Sequence, residues 1–212
     1  MAGKKIPMKI AVFGASGKTG ILTVFQALNK GHDVTAFSRQ ASRVTIHHPH
    51  ITIIQGDIMD YEKVEQAVAG QEVVICTLGM DKNKPGTILS EGTVNILRAM
   101  EASQVTRLIC MSSAGILGND AGFWFRKIIV PVFLKHIFDD KIRQMKIIQE
   151  SKADWVLIRP VRLTDAPRTG KYKITNGIPL SGKIPRADVA DFMLRLTTDK
   201  QYNGQMPAIS SY

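Results

Sequence analysis

The stretch Gly14-Ala15-Ser16-Gly17-Lys18-Thr19-Gly20 limits this chain more than any other, because it joins two elements of different period. Ahead of it, residues 8–13 form a short apolar run of β type; behind it, residues 18–29 follow a helical spacing. Gly14 permits a tight turn, Gly17 lets backbone N–H groups approach a phosphate, and Gly20 lets the helix pack closely on the strand. The helix N-terminus then offers unpaired N–H donors and a partial positive charge to an anion. Ser16, Lys18 and Thr19 add side-chain donors to the same loop. Spaced glycines alone are a weak signal. In a strand–turn–helix context they predict an anion cradle rather than an ordinary turn.

The first half of the chain keeps the same alternation. Runs at residues 33–38, 51–55, 72–78 and 107–112 read as strands, and residues 61–69 and 90–102 as helices, the latter with Val94, Leu97 and Glu101 at helical spacing. This rhythm predicts an α/β fold: a doubly wound, Rossmann-like parallel sheet with helices on both faces. Further on, residues 123–151 read as one or two helices bent near Pro131, and residues 155–158 as a sixth strand running to Pro160. Residues 164–183 read as loops with a short strand at 172–175. Residues 186–196 form a last helix with Ala187, Ala190, Met193 and Leu194 on one face. No repeat or linker divides the chain, which predicts a single domain over 1–212 with a substrate pocket built mainly from loops in 113–186. Ligands of open α/β sheets sit beyond the carboxyl ends of the strands, so the candidates follow Phe13, Ser38, Gln55, Leu78, Ser112 and Ile158.

The end of the second strand chooses between two dinucleotides. A protein that reads the ribose 2′-hydroxyl of NAD puts Asp or Glu there. This chain has Ser38-Arg39, with Arg43 four residues on, and its Asp33 lies at the other end of the strand. Arg39 and Arg43 can grip a 2′-phosphate through charge-assisted bonds of roughly 1.5–3 kcal/mol each. The expected cofactor on this NAD(P)-binding fold is therefore NADP. Asp57, followed by Ile58, either accepts from the adenine amine or caps the next helix. Thr77, Leu78 and Gly79 are expected beneath the adenosine, and Ser112, Pro160 and Val161 complete the cofactor-binding set.

Charge is spread unevenly. The net is +10, and residues 126–186, with 14 basic and 5 acidic side chains, hold nearly all of the surplus. An anionic partner accounts for this, as does a solvated basic face with no partner. Basic runs without interleaved aromatics argue against a nucleic-acid binder. The longest apolar run, residues 128–134, contains Pro131 and falls far short of the roughly 20 residues a bilayer span requires. The apolar stretch after Lys9 is too short for a secretory leader. Cys76 and Cys110 lie in apolar runs and read as buried, reduced thiols of a cytoplasmic protein. His47-His48-Pro49-His50 lacks the spacing of a helix face and has no cysteine nearby, so no metal site is expected.

With these residues in place, the chain resembles the atypical short-chain dehydrogenase/reductases of the NmrA-like group, and among them the flavin and biliverdin-B reductases. The similarity runs nearly end to end. It takes in the spaced glycines, Ser38-Arg39 with Arg43, Gly56-Asp57, and Val68-Ala69-Gly70-Gln71. It continues through Ser90-Glu91-Gly92 with Asn95-Ile96, Ser112-Ser113-Ala114, and Asp139-Asp140 with Ile142-Arg143 and Lys146. It closes on Phe192-Met193-Leu194-Arg195 and Thr197-Thr198-Asp199. The resemblance implies an NADP-bound monomer or weak homodimer with a shallow apolar pocket over the nicotinamide. It implies reduction of a flavin or similar planar, conjugated small molecule, such as a quinone or bilin.

The superfamily's usual members protonate a carbonyl oxygen with a tyrosine followed four residues later by a lysine. Here Tyr61, Tyr172 and Tyr202 are followed at that spacing by Glu65, Asn176 and Met206, and Lys146 is preceded by Ile142. A ketone accepting hydride develops an alkoxide that needs an acid or an oxyanion donor. A conjugated acceptor spreads the added charge and takes its proton from water. The missing pair thus points away from alcohol dehydrogenation. It also fits a redox-sensing regulator that binds NADP without turnover. Ser113 matches the family's active-site serine; its hydroxyl positions the nicotinamide, bonds the acceptor or caps the loop. In Pro160-Val161-Arg162-Leu163 the relatives carry Pro and His where this chain has Val161 and Arg162. Arg162 stays cationic near neutrality and cannot serve as an acid, so it is read as a clamp for an anionic group of the acceptor or as a solvated cation. Phe123-Trp124-Phe125 and residues 128–134 read as helix core, a pocket lid or a membrane-touching patch.

Overall fold

Near-continuous apolar runs belong to strands covered on both sides, and the computed structural model, which describes residues 6–80, 86–117, 134–177 and 182–212, has that arrangement. Its strands are β1 (Lys9–Phe13), β2 (Asp33–Ser38), β3 (Ile51–Gln55), β4 (Val73–Cys76), β5 (Arg107–Met111) and β6 (Asp154–Pro160). After these come β7 (Arg162–Thr164), β8 (Tyr172–Thr175), β9 (Lys183–Pro185) and β10 (Ala208–Ser211). The helices are α1 (Lys18–Asn29), α2 (Tyr61–Val68), α3 (Ile88–Ala102), α4 (Lys135–Glu150) and α5 (Arg186–Arg195). Eight strands form one sheet in the order β3-β2-β1-β4-β5-β6-β10-β8, while β7 and β9 make a separate parallel pair. Every pairing in the large sheet is parallel except that of β10 with β8.

Alternation along the strands divides the core in two. Ile10, Val12, Ile75, Ile109 and Val156 face α1 and α5, where Val24, Ala27, Val189, Phe192 and Met193 meet them. Ala11, Phe13, Val74, Cys76, Cys110 and Leu157 face the other way, against Val64 of α2, Ile96 of α3, and Phe138 and Ile148 of α4. This is the doubly wound α/β sheet expected from the sequence. Chain order reverses between β1 and β4, which opens the crevice at the carboxyl ends of the central strands.

Two features differ from the sequence reading. Val94 is exposed, and α3 buries Leu89, Ile96, Ala99 and Met100 instead of the face carrying Val94 and Glu101. Residues 162–164, 183–185 and 208–211 are strands that the local pattern does not announce. The Thr87 side chain, at the N-cap position, does not cap α3. The fully buried Asp140 of α4 reaches across and accepts from the N–H groups of Leu89 (2.8 Å) and Ser90 (3.3 Å). Helix α4 supplies the helix expected within residues 123–151. The part of that expectation over residues 123–133, including Phe123-Trp124-Phe125 and the lid reading, lies outside the described residues.

Candidate functional site

The crevice begins where β1 ends. Gly14 turns at φ +78°, in the left-handed region that disfavours a side chain, and an added Cβ would lie 2.9 Å from the Thr77 carbonyl. A Cβ on Gly20 would stand 2.1 Å from the Gly14 oxygen, so only glycine lets the first turn of α1 close over the loop. The Gly17 N–H donates to the Gly14 oxygen at 2.9 Å, and no side chain among the described residues caps α1. Thr77 donates from N and from Oγ1 to the Phe13 oxygen, each at 2.9 Å, and so fastens the end of β4 to the end of β1. Ser38 Oγ donates to Ser16 Oγ at 2.8 Å, tying the tip of β2 to the glycine loop.

A cleft of about 390 Å³ lies over these ends. Gly14, Ser16, Gly17, Lys18 and Thr19 line it from the loop, and Ser38, Arg39 and Arg43 from beyond β2. Ile58, Thr77, Leu78 and Gly79 line it from beyond β3 and β4. Gly20 lies beneath, as packing. The sequence reading did not foresee Phe37, Met80, Ile88, Met111, Leu163 and Arg186, which also form the wall. The first five are apolar and carry no chemical signature. Arg186 joins the wall only because α5 packs beside α1.

The remaining candidates stand outside that wall. Asp57 Oδ1 accepts from the Met59 N–H at 2.9 Å, and Asp60 caps α2 through the Lys63 N–H; of the two roles open to Asp57, the cap therefore falls to Asp60. Ser112 follows β5, with its N–H on the Ile158 oxygen at 2.8 Å. The hydroxyls of Ser112 and Ser113 are both buried and have no hydrogen-bond partner among the described residues. Such an orphan calls for an explanation, and a ligand at the carboxyl end of β5 supplies one. It also leaves Ser113 without the loop-capping bond. Pro160 is buried at the end of β6, and Val161 donates to the Ile209 oxygen at 3.1 Å, which fixes the neighbouring floor. Arg162 is exposed at the start of β7; alternation directs it away from the side on which Leu163 meets the cleft.

Two groups shape the local electrostatics. The Asp165 carboxylate receives Lys18 Nζ at 2.7 Å and Arg186 Nη1 at 2.5 Å. The Lys18 hydrogen bond, with the nearby Arg186 charge, holds this carboxyl below the usual range. On α4 the buried lysine is Lys141, whose pKa burial lowers, whereas Lys146 is exposed. Cys76 and Cys110 stand in register on β4 and β5, buried and unbridged. Their mutual hydrogen bond, together with burial, pushes the Cys110 thiol well up.

A larger groove, about 560 Å³, runs between the carboxyl-terminal ends of α3 and α4, beside Thr106 and Ala153 that precede β5 and β6. It lies at the opposite end of the strands from the glycine loop and offers neither an anion cradle nor an orphan hydroxyl.

A glycine-turn cradle at the switch point of a doubly wound sheet defines a dinucleotide-binding α/β protein. Residues 14–200 match the NAD(P)H-binding family, and the chain belongs to that family. It is similar to the uncharacterised protein YwnB of Bacillus subtilis, 27% identical over 172 residues that cover 78% of each chain. A short-chain dehydrogenase/reductase from Veillonella parvula, solved in complex with NADP, shares the fold at TM-score 0.80, with 20% identity and 97% and 95% of the two chains covered. The anaerobilin reductase ChuY of Escherichia coli O157:H7 does so at TM-score 0.79, with 24% identity over 95% and 96%. The short-chain dehydrogenase/reductase resemblance read from the residues thus agrees with both family and fold.

Proposed function

We propose that this protein is an NADPH-dependent reductase of flavins, quinones or bilins. The observation that carries the reading is the composition of the cleft. An anion cradle and two arginines at one end meet an apolar wall of Met80, Ile88, Met111 and Leu163 at the other, with no tyrosine among the described residues lining it. Arg39 and Arg43 stand beyond β2, where a protein that reads the 2′-hydroxyl carries Asp or Glu, and suit a 2′-phosphate, so NADP is the proposed coenzyme. The glycine loop and the α1 N-terminus hold the pyrophosphate. Ile58, Thr77, Leu78 and Gly79 flank the adenosine, with Asp57 at its rim.

Bound in this cleft, the reduced coenzyme supplies a hydride. The orphan hydroxyls of Ser112 and Ser113 orient the nicotinamide and the acceptor, over a floor fixed by Pro160 and Val161. The apolar wall excludes water from one face of a planar acceptor, whose pocket is completed by loops within residues 113–186. Arg162, which turns away from this wall, is left as a solvated cation with no part in the transfer. A conjugated acceptor needs no tyrosine acid, and the likeness to a bilin reductase supports that acceptor class.

The test mixes the purified chain with NADPH and, in turn, FMN, a quinone or biliverdin, and follows the nicotinamide absorbance. Oxidation with at least one acceptor is expected. None across the panel, with NADP still bound, replaces the enzyme by an NADP-sensing regulator. Arg39→Ala should lower the preference for NADP over NAD about tenfold, the loss of one charge-assisted bond. Equal binding of both coenzymes to the unsubstituted protein rejects the NADP assignment.

A further inference from the structure

We propose that Arg186 is a phosphate-binding residue of the cleft and Asp165 its built-in competitor, so that the pyrophosphate of the dinucleotide enters by displacing a carboxylate. The proposal rests on the dinucleotide reading of the cleft. Lys18 and Arg186 are the first residues of α1 and α5, two helices packed side by side, and both line the cleft. A single carboxylate engages both: Asp165 Oδ2 on Lys18 Nζ and Oδ1 on Arg186 Nη1. Its two oxygens lie between an ammonium and a guanidinium much as two phosphate oxygens would.

The cations differ in how firmly they are held. Lys18 is 70% exposed and Asp165 61%, so their pair resembles the surface ion pairs that open readily to water. Arg186 is only 20% exposed, and it lines the cleft together with Lys18. While Asp165 is engaged, an incoming phosphate meets one net positive charge from the three side chains. Once it is displaced, the phosphate meets two. Arg39 and Arg43 line the cleft from the segment after β2, on the arm assigned to the 2′-phosphate. Arg186 therefore acts on the part that NAD and NADP have in common, and the exchange sets affinity without setting the choice between them.

Calorimetric titration of the full chain with NADPH and NADH, for the unsubstituted protein, Asp165→Asn and Arg186→Gln, tests this. Asp165→Asn should tighten both coenzymes by a common factor of about five and steepen the salt dependence; Arg186→Gln should weaken both about tenfold. The NADPH-to-NADH ratio should stay fixed in both variants. Unchanged or weaker binding by Asp165→Asn overturns the exchange and leaves Asp165 as a fastener of the segment after β7. An altered ratio in Arg186→Gln overturns it too, because Arg186 would then read the 2′-phosphate. If the unsubstituted chain binds neither coenzyme, the cleft reading itself falls and the exchange falls with it. Melting curves of all three proteins separate these outcomes from unfolding.

Discussion

Single atoms decide the most at the glycine loop. At Gly20 a methyl group would stand 2.1 Å from a backbone oxygen, and that oxygen already accepts the Gly17 N–H. Neither partner is the end of a flexible side chain, so α1 must shift on β1. Gly20→Ala is expected to cost about 1–3 kcal/mol in a urea melt and to weaken NADPH binding in the same protein. An unchanged affinity would mean that the cradle tolerates a displaced helix. Sequence spacing made this residue legible because its constraint is local, six positions from Gly14. The same cannot be said of Arg186, a residue of ordinary type that lies 168 positions from Lys18. Its place in the wall follows from the packing of α5 on α1, and no motif announces it.

At the scale of elements, the α3–α4 seam sets a buried polar network beside the apolar contacts of Ile96, Phe138 and Ile148. Asp140 is fully buried, caps α3 from another helix, and also receives the hydroxyl of Ser90 and, at 3.4 Å, Nη2 of Arg143. One turn further on, Gln144 donates to Thr93 Oγ1 at 2.9 Å. Asp140→Ala removes a cap and strands buried donors, which together should cost about 2–4 kcal/mol in chemical denaturation. Arg143→Ala, at a half-exposed side chain, should cost no more than about 1 kcal/mol. Equal losses in the two variants would locate the stabilisation in the ion pair instead of the cap. The sequence reading noted Ser90 and Asp140 as separate family marks, 50 positions apart; only the helix packing makes them one feature.

At the scale of the molecule, Asp191 draws α1, α5 and β8 together. Lys30, the residue that follows α1, lies 3.1 Å from Asp191, Arg168 lies 3.0 Å from it, and the Tyr172 hydroxyl donates to it at 3.2 Å. Burial works to raise the Asp191 carboxyl, but the Lys30 hydrogen bond and the Lys30 and Arg168 charges outweigh it and keep the pKa low. Burial, and then the neighbouring Asp191, pushes Tyr172 up to about 12 from an ordinary value of 10.0. The native state therefore keeps a proton that the unfolded chain releases, so the stability from this contact is complete below pH 10 and declines as pH rises toward 12. Asp191 acts in the opposite sense: its contribution holds above the ordinary carboxylate value of 3.8 and is lost as pH falls below it. Urea melts between pH 8 and pH 11.5 should show the alkaline decline in the natural chain and a shallower one in Tyr172→Phe. Identical slopes would remove Tyr172 as its source.

The sequence by itself determined the alternation of strand and helix through residue 112, the glycine turn between β1 and α1, and the two arginines beyond Ser38. These signals are short in range: a period, a glycine spacing, a charge beside a strand end. Tertiary structure alone decided that Ala208–Ser211 becomes a strand, because its hydrogen bonds go to β6 and β8 and its own four residues have no pattern to offer. It decided equally that Asp165 and Arg186 meet Lys18. A carboxylate and a guanidinium gain a partner only when the fold brings one within reach, and their separation along the chain carries no trace of that distance.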